Sequence, residues 1–358
     1  MKQQHSSTIA NVTIGIDLGD RRSRVYVLDL DGACIQEGWV RTMQPEWGEF
    51  LARYPSARVV MEAGTHSPWV SRLAAAMGHE VVVGNPSEIY GRKRRKRRND
   101  KLDAEKLARL GRADPALLSP IQHRGEQAQL DLAVLQSRDI LVKSRTKLIN
   151  HVRGSVKALG GQLPKCSPEV FGKRMAKEIP DALQPALGPV MQQITELTDQ
   201  IHAFHRAVEK RAKEAYPETE RLRQIKGVGP LTSLCYVLVL EDPKRFSNPR
   251  EAGSFVGLVP RLDETGESQP QLRITKAGHS LLRTYLVQSA QYIIGPFGPD
   301  TDLRRWGLSL MAHGGKNAKK RAVIAVARKL AVLLHRLWET GNPYVPLRGE
   351  HSHISHAA

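Results

Sequence analysis

Apolar and small residues alternate through VTIGIDLG from residue 12, break at a turn, and resume in SRVYVLDLDG and ACIQEGWV. This period of two predicts three strands joined as a meander. A helical stretch follows around Trp47 to Tyr54, then a buried strand in ARVVMEAG, a helix near Val70 to Met77, and another strand in HEVVVGNP. Continuous apolar strands alternating with helices indicate a sheet covered on both faces. Three strands, a helix, a strand, a helix and a strand is the order of an α/β RNase H-like core.

Beyond Pro86 the pattern changes. A basic run, RKRRKRR at 92–98, precedes NDKLDAEKLARLGR, where Asn99 or Asp100 caps a new helix. A long helical pattern then runs from about Glu126 to Leu159, with apolar positions at Leu132, Leu135, Leu141, Leu148 and Val152. Its basic face carries Arg138, Lys143, Arg145, Lys147 and Arg153, which reads as solvated surface or as a face turned to nucleic acid. From Leu183 the apolar residues Leu187, Val190, Ile194, Leu197, Ile201, Phe204 and Val208 recur in steps of four and three. Such a heptad seam suits a coiled coil between two subunits or a hairpin within one chain. A mainly helical domain follows from about Thr219 to Trp338. The expected organisation is therefore an α/β domain with a basic helical extension over 10–160, a coiled-coil connector over 181–215, a mainly α domain over 219–340 and a flexible tail over 341–358.

Charge changes what this architecture is for. The chain of 358 residues carries a formal net charge of +18, with a pI near 10.0, an excess that points to a polyanionic partner. No apolar stretch reaches the eighteen or so residues needed to span a bilayer, and MKQQHSSTIA lacks the apolar core of a signal peptide. These features predict a protein of the cytoplasm, associated with the nucleoid, without a membrane partner. Cys34, Cys166 and Cys235 are too scattered for a disulfide framework or a cysteine zinc site. His351, His353 and His356 crowd a polar terminus and are assigned no role.

Four acids carry the candidate chemistry. Asp17 ends the first predicted strand and Glu62 the fourth, and those strands are neighbours in an RNase H-like sheet. Asp100 and Asp103 lie three apart on a helix and share a face. Four hard oxygen donors suit Mg2+, or Mn2+, and phosphodiester chemistry. Singly, each acid has an ordinary explanation as a turn, a strand end or a helix N-terminus; their joint order beside Arg92, Lys93, Arg94, Arg95, Lys96, Arg97 and Arg98 favours catalysis next to bound phosphate. In LRQIKGVGPLTSLCYVL, Gly227 and Gly229 bracket a tight turn that reads as a phosphate-binding helix-hairpin-helix or as a plain interhelical turn. Further on, a polar loop with Thr265 and Ser268 precedes Arg273, Lys276 and Arg283; a hydroxyl among cations is either a nucleophile or a turn residue. The amphipathic GGKNAKKRAVIAVARKLAVLLHRLW adds a basic edge that includes Lys319 and Lys320.

The stretches IGIDLG, VVMEAGTH, RRNDKLDAEKLAR, IKGVGPLTS, FVGLVPR, GESQPQLRITKAGHSLLRTYLVQSAQYIIGPFGPDTDLRRWGL and GGKNAKKRAVIAVARKLAVLLHRLW together resemble transposases of the insertion sequence 110 family, especially its 1111 subgroup. The resemblance implies a RuvC-like N-terminal domain, a coiled coil and a C-terminal transposase domain whose serine attacks DNA covalently. It also implies donor and target DNA, a structured guide (the bridge RNA), and a homodimer or homotetramer. By position Asp17, Glu62, Asp100 and Asp103 match the family's metal-binding acids. Where the family shows Ser-Gly, this chain has Thr265-Gly266, with Ser268 three residues on. Thr265 keeps register and Ser268 keeps the chemistry. Competing readings are a RuvC-like junction endonuclease that uses water, a non-catalytic RNA-binding protein, and an actin-like ATPase, whose second phosphate loop and adenosine site are missing from the sequence.

Overall fold

The computed structural model describes residues 12–86, 100–261 and 272–347. Contacts divide the chain into two compact units, Met1–Arg124 and Gly125–Ala358.

The first unit is built on a five-stranded mixed sheet of β1 (Thr13–Asp17), β2 (Arg22–Leu28), β3 (Cys34–Arg41), β4 (Arg58–Glu62) and β5 (Glu80–Gly84), in the order β3-β2-β1-β4-β5. β1 and β2, and β2 and β3, pair antiparallel, as the meander predicts. β1 and β4, and β4 and β5, pair parallel. The alternation that defined the strands sorts their side chains onto two faces. Ile14, Ile16, Val25, Val27, Val59 and Met61 pack with Trp47, Phe50 and Leu51 of α1 (Gln44–Ala52) and with Val70 and Ala74 of α2 (Ser67–Ala76). The opposite face is covered by α3 (Asp100–Ala113): Val60 and Val82 meet Leu107, while Tyr26 and Leu28 meet Ala104 and Ala108.

The second unit is helical. α4 (Glu126–Ala158), α5 (Pro168–Met175) and α6 (Gln184–Glu214) enclose one core of Ile149, Val152, Val156, Phe171, Leu187, Met191 and Ile194. The heptad seam is thus filled from within, α6 packing along α4 as a hairpin of one chain. α7 (Glu218–Leu222), α8 (Pro230–Leu240), α9 (Glu251–Phe255), α10 (Ser280–Ile294), α11 (Asp302–Ala312) and α12 (Ala318–Thr340) form the rest. α8 is buried from Thr232 to Leu240, apolar on all sides, and is the centre around which α4, α6 and α10 pack. The tail starts later than its composition suggests: Tyr344 N donates to Gln224 Oε1 at 2.7 Å and Asp302 N to the Pro346 carbonyl at 2.8 Å. Residues 348–358, with His351, His353 and His356, lie outside the described residues. Among the described residues no helix is long and apolar enough to cross a membrane.

Candidate active site

Strand register places the first two acids together. Thr13 pairs with Arg58 through to Ile16 with Met61, so Asp17 and Glu62 are the next residues on adjacent parallel strands. Side-chain alternation turns both toward the α3 face, because Ile16 and Met61 point into the other core. α3 reaches that face through small residues. A Cβ on Gly15 would overlap the Ala104 carbonyl and the Ala108 amide, and one on Gly111 would meet Val60. Arg58, at the start of β4, donates from Nη1 to the Gly111 carbonyl at 2.9 Å. The C-terminal end of α3 therefore lies over the start of β4, its middle crosses Gly15 of β1, and its first turn, which carries Asp100 and Asp103, bonds through Lys101 to Glu37 of β3. Asp17, Glu62 and Asp103 are half-buried, and Asp100 is exposed.

The donors fit a hard divalent cation by type, and Asp17 and Glu62 end adjacent strands. Closure is another matter: among the described residues no three His, Cys, Asp or Glu side chains stand together as a set that could hold a metal ion. A nearby carboxylate, Glu37, is committed elsewhere. Lys101 at 2.8 Å, with Arg24 at 3.5 Å, holds it below the usual carboxylate range.

Two polar clasps fix the loops behind the acids, and sequence reading missed both. Trp69 Nε1 donates to His66 Nδ1 at 3.1 Å, which leaves the proton on Nε2 to face Asp20 Oδ1 at 3.4 Å. The loops that follow Asp17 and Glu62 are thereby joined. Ser67, fully buried, accepts from Gly64 N at 2.8 Å and lies 2.8 Å from His123 Nε2. The signal available in the sequence was AGTHSP directly after Glu62.

Several of the arginines expected to face phosphate bond within the protein, and one of them, Arg145, is buried. Arg145 is 4% exposed and donates to Thr198 Oγ1 at 3.2 Å and Glu169 Oε1 at 3.3 Å, tying α4, α5 and α6 together. Arg153 donates to the Leu163 and Pro164 carbonyls and stacks on Phe171 at 5.0 Å. A regular basic spacing on a long helix cannot reveal that a second helix covers part of it. Arg138 is half-buried. Arg283 braces the chain by donating to the Val256 and Ala277 carbonyls. Gly227 has a φ of +99°, and a Cβ there would press on Tyr292, so packing against α10 already accounts for this glycine. Gly229 precedes α8 as its N-cap.

Lys319 and Lys320 are exposed in the first turn of α12, alongside Arg321. Cations there oppose the helix macrodipole, an arrangement that favours an anionic partner. The loop with Thr265 and Ser268, and the run Arg92 to Arg98, lie outside the described residues. The residues flanking 262–271 are described: Pro260 bridges Ile274, Arg261 N donates to the Arg273 carbonyl and Thr275 N to that of Val259. Gly257 and Gly278, both at positive φ, let the backbone pass there without a Cβ. Arg273 and Lys276 are exposed beside this bridge.

Comparison with known proteins accords with this layout. Residues 14–159 match a family profile described as a transposase. Residues 219–302 match one described as the transposase IS116/IS110/IS902 family. The chain is 31% identical over 336 residues to the transposase of insertion sequence element IS1111A from Coxiella burnetii, covering 90% of this chain and 88% of that protein. It is 29% identical over 289 residues to the transposase of IS1328 from Yersinia enterocolitica, covering 78% and 84%. A pilin gene-inverting protein of Moraxella bovis is 24% identical over 309 residues, covering 80% and 81%.

Proposed function

This chain belongs to the IS116/IS110/IS902 family of transposases, enzymes that cut and rejoin DNA, and on that premise we propose a two-part chemistry for it. Its N-terminal unit acts as an RNase H-like, RuvC-like domain in which Asp17, Glu62, Asp100 and Asp103 serve phosphodiester transfer. A hydroxyl of the C-terminal unit, on Thr265 or Ser268, is the attacking group. The observation that carries the first part is the shared edge of Asp17 and Glu62 on adjacent parallel strands, with the acidic first turn of α3 packed on the same face. The strand order β3-β2-β1-β4-β5 supports the RNase H-like reading.

Held by these acids, Mg2+ or Mn2+ would supply Lewis-acid stabilisation of the charge that develops on phosphate oxygens. The protein's own contribution is positioning. Gly15 and Gly111 let α3 lie close on the sheet, and the clasps at His66 and Ser67 hold the loops behind the acids. Attack of the threonine or serine oxygen on phosphorus forms a protein–DNA phosphoester and breaks the strand, and the hydroxyl proton ends on the departing sugar oxygen. Attack by a second strand's hydroxyl reverses the linkage and rejoins DNA. A structured guide RNA pairs donor and target DNA in an assembly of two or four subunits, and the +18 charge suits so large a load of phosphate.

The test is to trap the adduct and map it. Wild-type protein gives a phosphoester on Thr265 or Ser268, and the double variant Thr265→Ala/Ser268→Ala gives neither adduct nor joined product. Asp17→Asn, Glu62→Gln and Asp103→Asn each lower strand cleavage by at least about 100-fold while DNA affinity stays within about twofold. Full cleavage by the hydroxyl double variant would instead make the chain a nuclease that uses water, and undiminished cleavage by the acid variants would remove the carboxylate assignment.

A further inference from the structure

The second unit contains a groove of about 770 Å3, within the range of about 300–1,000 Å3 typical of small-ligand sites. Its floor is apolar, made by Leu258, Leu272, Ile274, Leu310 and Ile324. All but Leu258 remain half-buried. Its walls carry Arg273, Lys276, Lys316, Lys320, Arg321 and Arg328, and among the described residues no carboxylate lines it. Lys276 sits at a φ of +57°, a conformation costing a non-glycine residue about 1 kcal/mol, so a long cation is kept there at a local expense. Pro260 and Leu272, on either side of the 262–271 segment, both line the groove.

Neither half of this lining makes sense alone. Cations gathered around an apolar bed attract an anionic ligand, and a ridge of phosphates alone would need no apolar floor. A nucleotide satisfies both, because its base is flat and poorly hydrated on its faces while each neighbouring phosphate carries a full charge. A paired base in a stacked duplex cannot present its face to a protein; an unpaired one turned out of the stack can. We propose that this groove holds one unpaired nucleotide of the DNA strand, its base on the apolar floor and its flanking phosphates on the cationic walls. The proposal rests on the reading of the chain as a DNA recombinase and adds to it a subsite that selects locally opened DNA over intact duplex.

The experiment uses the full chain and three fluorescently labelled probes: a DNA duplex, the same duplex with a single-nucleotide bulge of 2-aminopurine, and an RNA duplex with the same bulge. Wild-type protein binds the bulged DNA about tenfold more tightly than the intact duplex, and the 2-aminopurine emission changes on binding. The floor variant Leu310→Ser/Ile324→Ser brings that ratio within about twofold of unity without altering the salt dependence. The wall variant Lys316→Ala/Lys320→Ala keeps the ratio but lowers the slope of log affinity against log salt by roughly two. Equal wild-type affinity for both DNA probes with unchanged emission overturns the proposal, and this needs no variant to fold. A floor variant that folds, judged by its thermal melt, and keeps the tenfold preference also overturns it. Preference for the bulged RNA over the bulged DNA would assign the groove to the guide and likewise overturn it. The cleavage and adduct assays separate the two levels: a chain that joins DNA but ignores the bulge keeps its function and loses only this subsite.

Discussion

The Ser67 hydroxyl and His123 Nε2 stand 2.8 Å apart, joining the turn after Glu62 to the last residues of the first unit. Burial, reinforced by Arg124 and Arg72, depresses the His123 pKa below its ordinary value, and burial does the same to His79 in the same unit. The unfolded chain therefore takes up these protons before the folded one does. Stability from the neutral imidazoles is fully present above the ordinary histidine pKa of about 6.5 and is lost as pH falls through that value and toward the lower folded one. We expect the N-terminal melting transition to drop as pH is lowered from about 7.5 to 5.5. His123→Gln should flatten part of that slope, with His79 responsible for the remainder. Calorimetry at several pH values decides it, and an identical slope in the variant would refute the assignment.

Gly15 is a contact surface rather than a hinge. Gly15→Ala would drive a methyl group into the backbone of α3 at Ala104 and Ala108, an overlap no rotamer can relieve. A loss of about 1–3 kcal/mol is expected. Cleavage should fall further than the folded fraction does, because the first turn of α3 carries Asp103. Gly48→Ala provides the contrast. It lies in α1 with nothing within 4 Å of its added carbon, so a neutral result or a gain of up to about 1 kcal/mol is expected. Equal behaviour of the two variants in melts would show that α3 does not depend on this close approach.

Asp131 is 3% exposed and receives hydrogen bonds from Gln127, Arg211 at 2.6 Å and Tyr216 at 2.7 Å. Burial by itself would raise its pKa, but the bonds from Gln127, Tyr216 and Arg211 outweigh it and leave the carboxyl below the ordinary range. Its contribution is therefore present above the ordinary aspartate pKa of about 3.9 and disappears as pH falls through the lower folded value. Asp131→Asn keeps the shape and removes the charge, and should cost about 1.5–3 kcal/mol in urea unfolding at neutral pH. A cost below about 0.5 kcal/mol would mean that solvent screens the exposed end of Arg211 enough to cancel the pair.

Arg145 and Lys319 look alike in a count of basic residues and should separate cleanly by experiment. Arg145→Ala is expected to lower the melting temperature by several degrees and leave the salt slope of DNA binding unchanged. Lys319→Ala should leave the melt alone and reduce that slope by roughly one. Filter binding across a salt series, read beside thermal melts, distinguishes the two, and a reversed pattern would move Arg145 back to the nucleic-acid face.

What could be read beforehand follows from the range of the interactions involved. Ile14, Ile16, Val25 and Val27 announce their strands because a period of two is a local property, and the order of elements then brings Asp17 beside Glu62. The heptads at Leu187, Ile194 and Leu197 announced a partner helix without naming it, since the same seam serves a second subunit or the chain itself. Arg145 was misread because its burial depends on Thr198 and Glu169, both far away in sequence. Ser67 and His123 could not be linked in advance for the same reason, being 56 residues apart. The groove gathers Leu258, Ile274, Leu310 and Ile324 from separate elements, and no single stretch betrays it.

The ladder from Val259 to Thr275, closed by the Pro260–Ile274 bridge and seated on Gly257 and Gly278, works as a fixed socket for whatever lies between its ends. Because those ends are already joined by backbone hydrogen bonds, the helical core beneath them does not depend on residues 262–271 to hold its place. What stands between residues 261 and 272 can therefore be exchanged without disturbing the helical packing that carries its two ends.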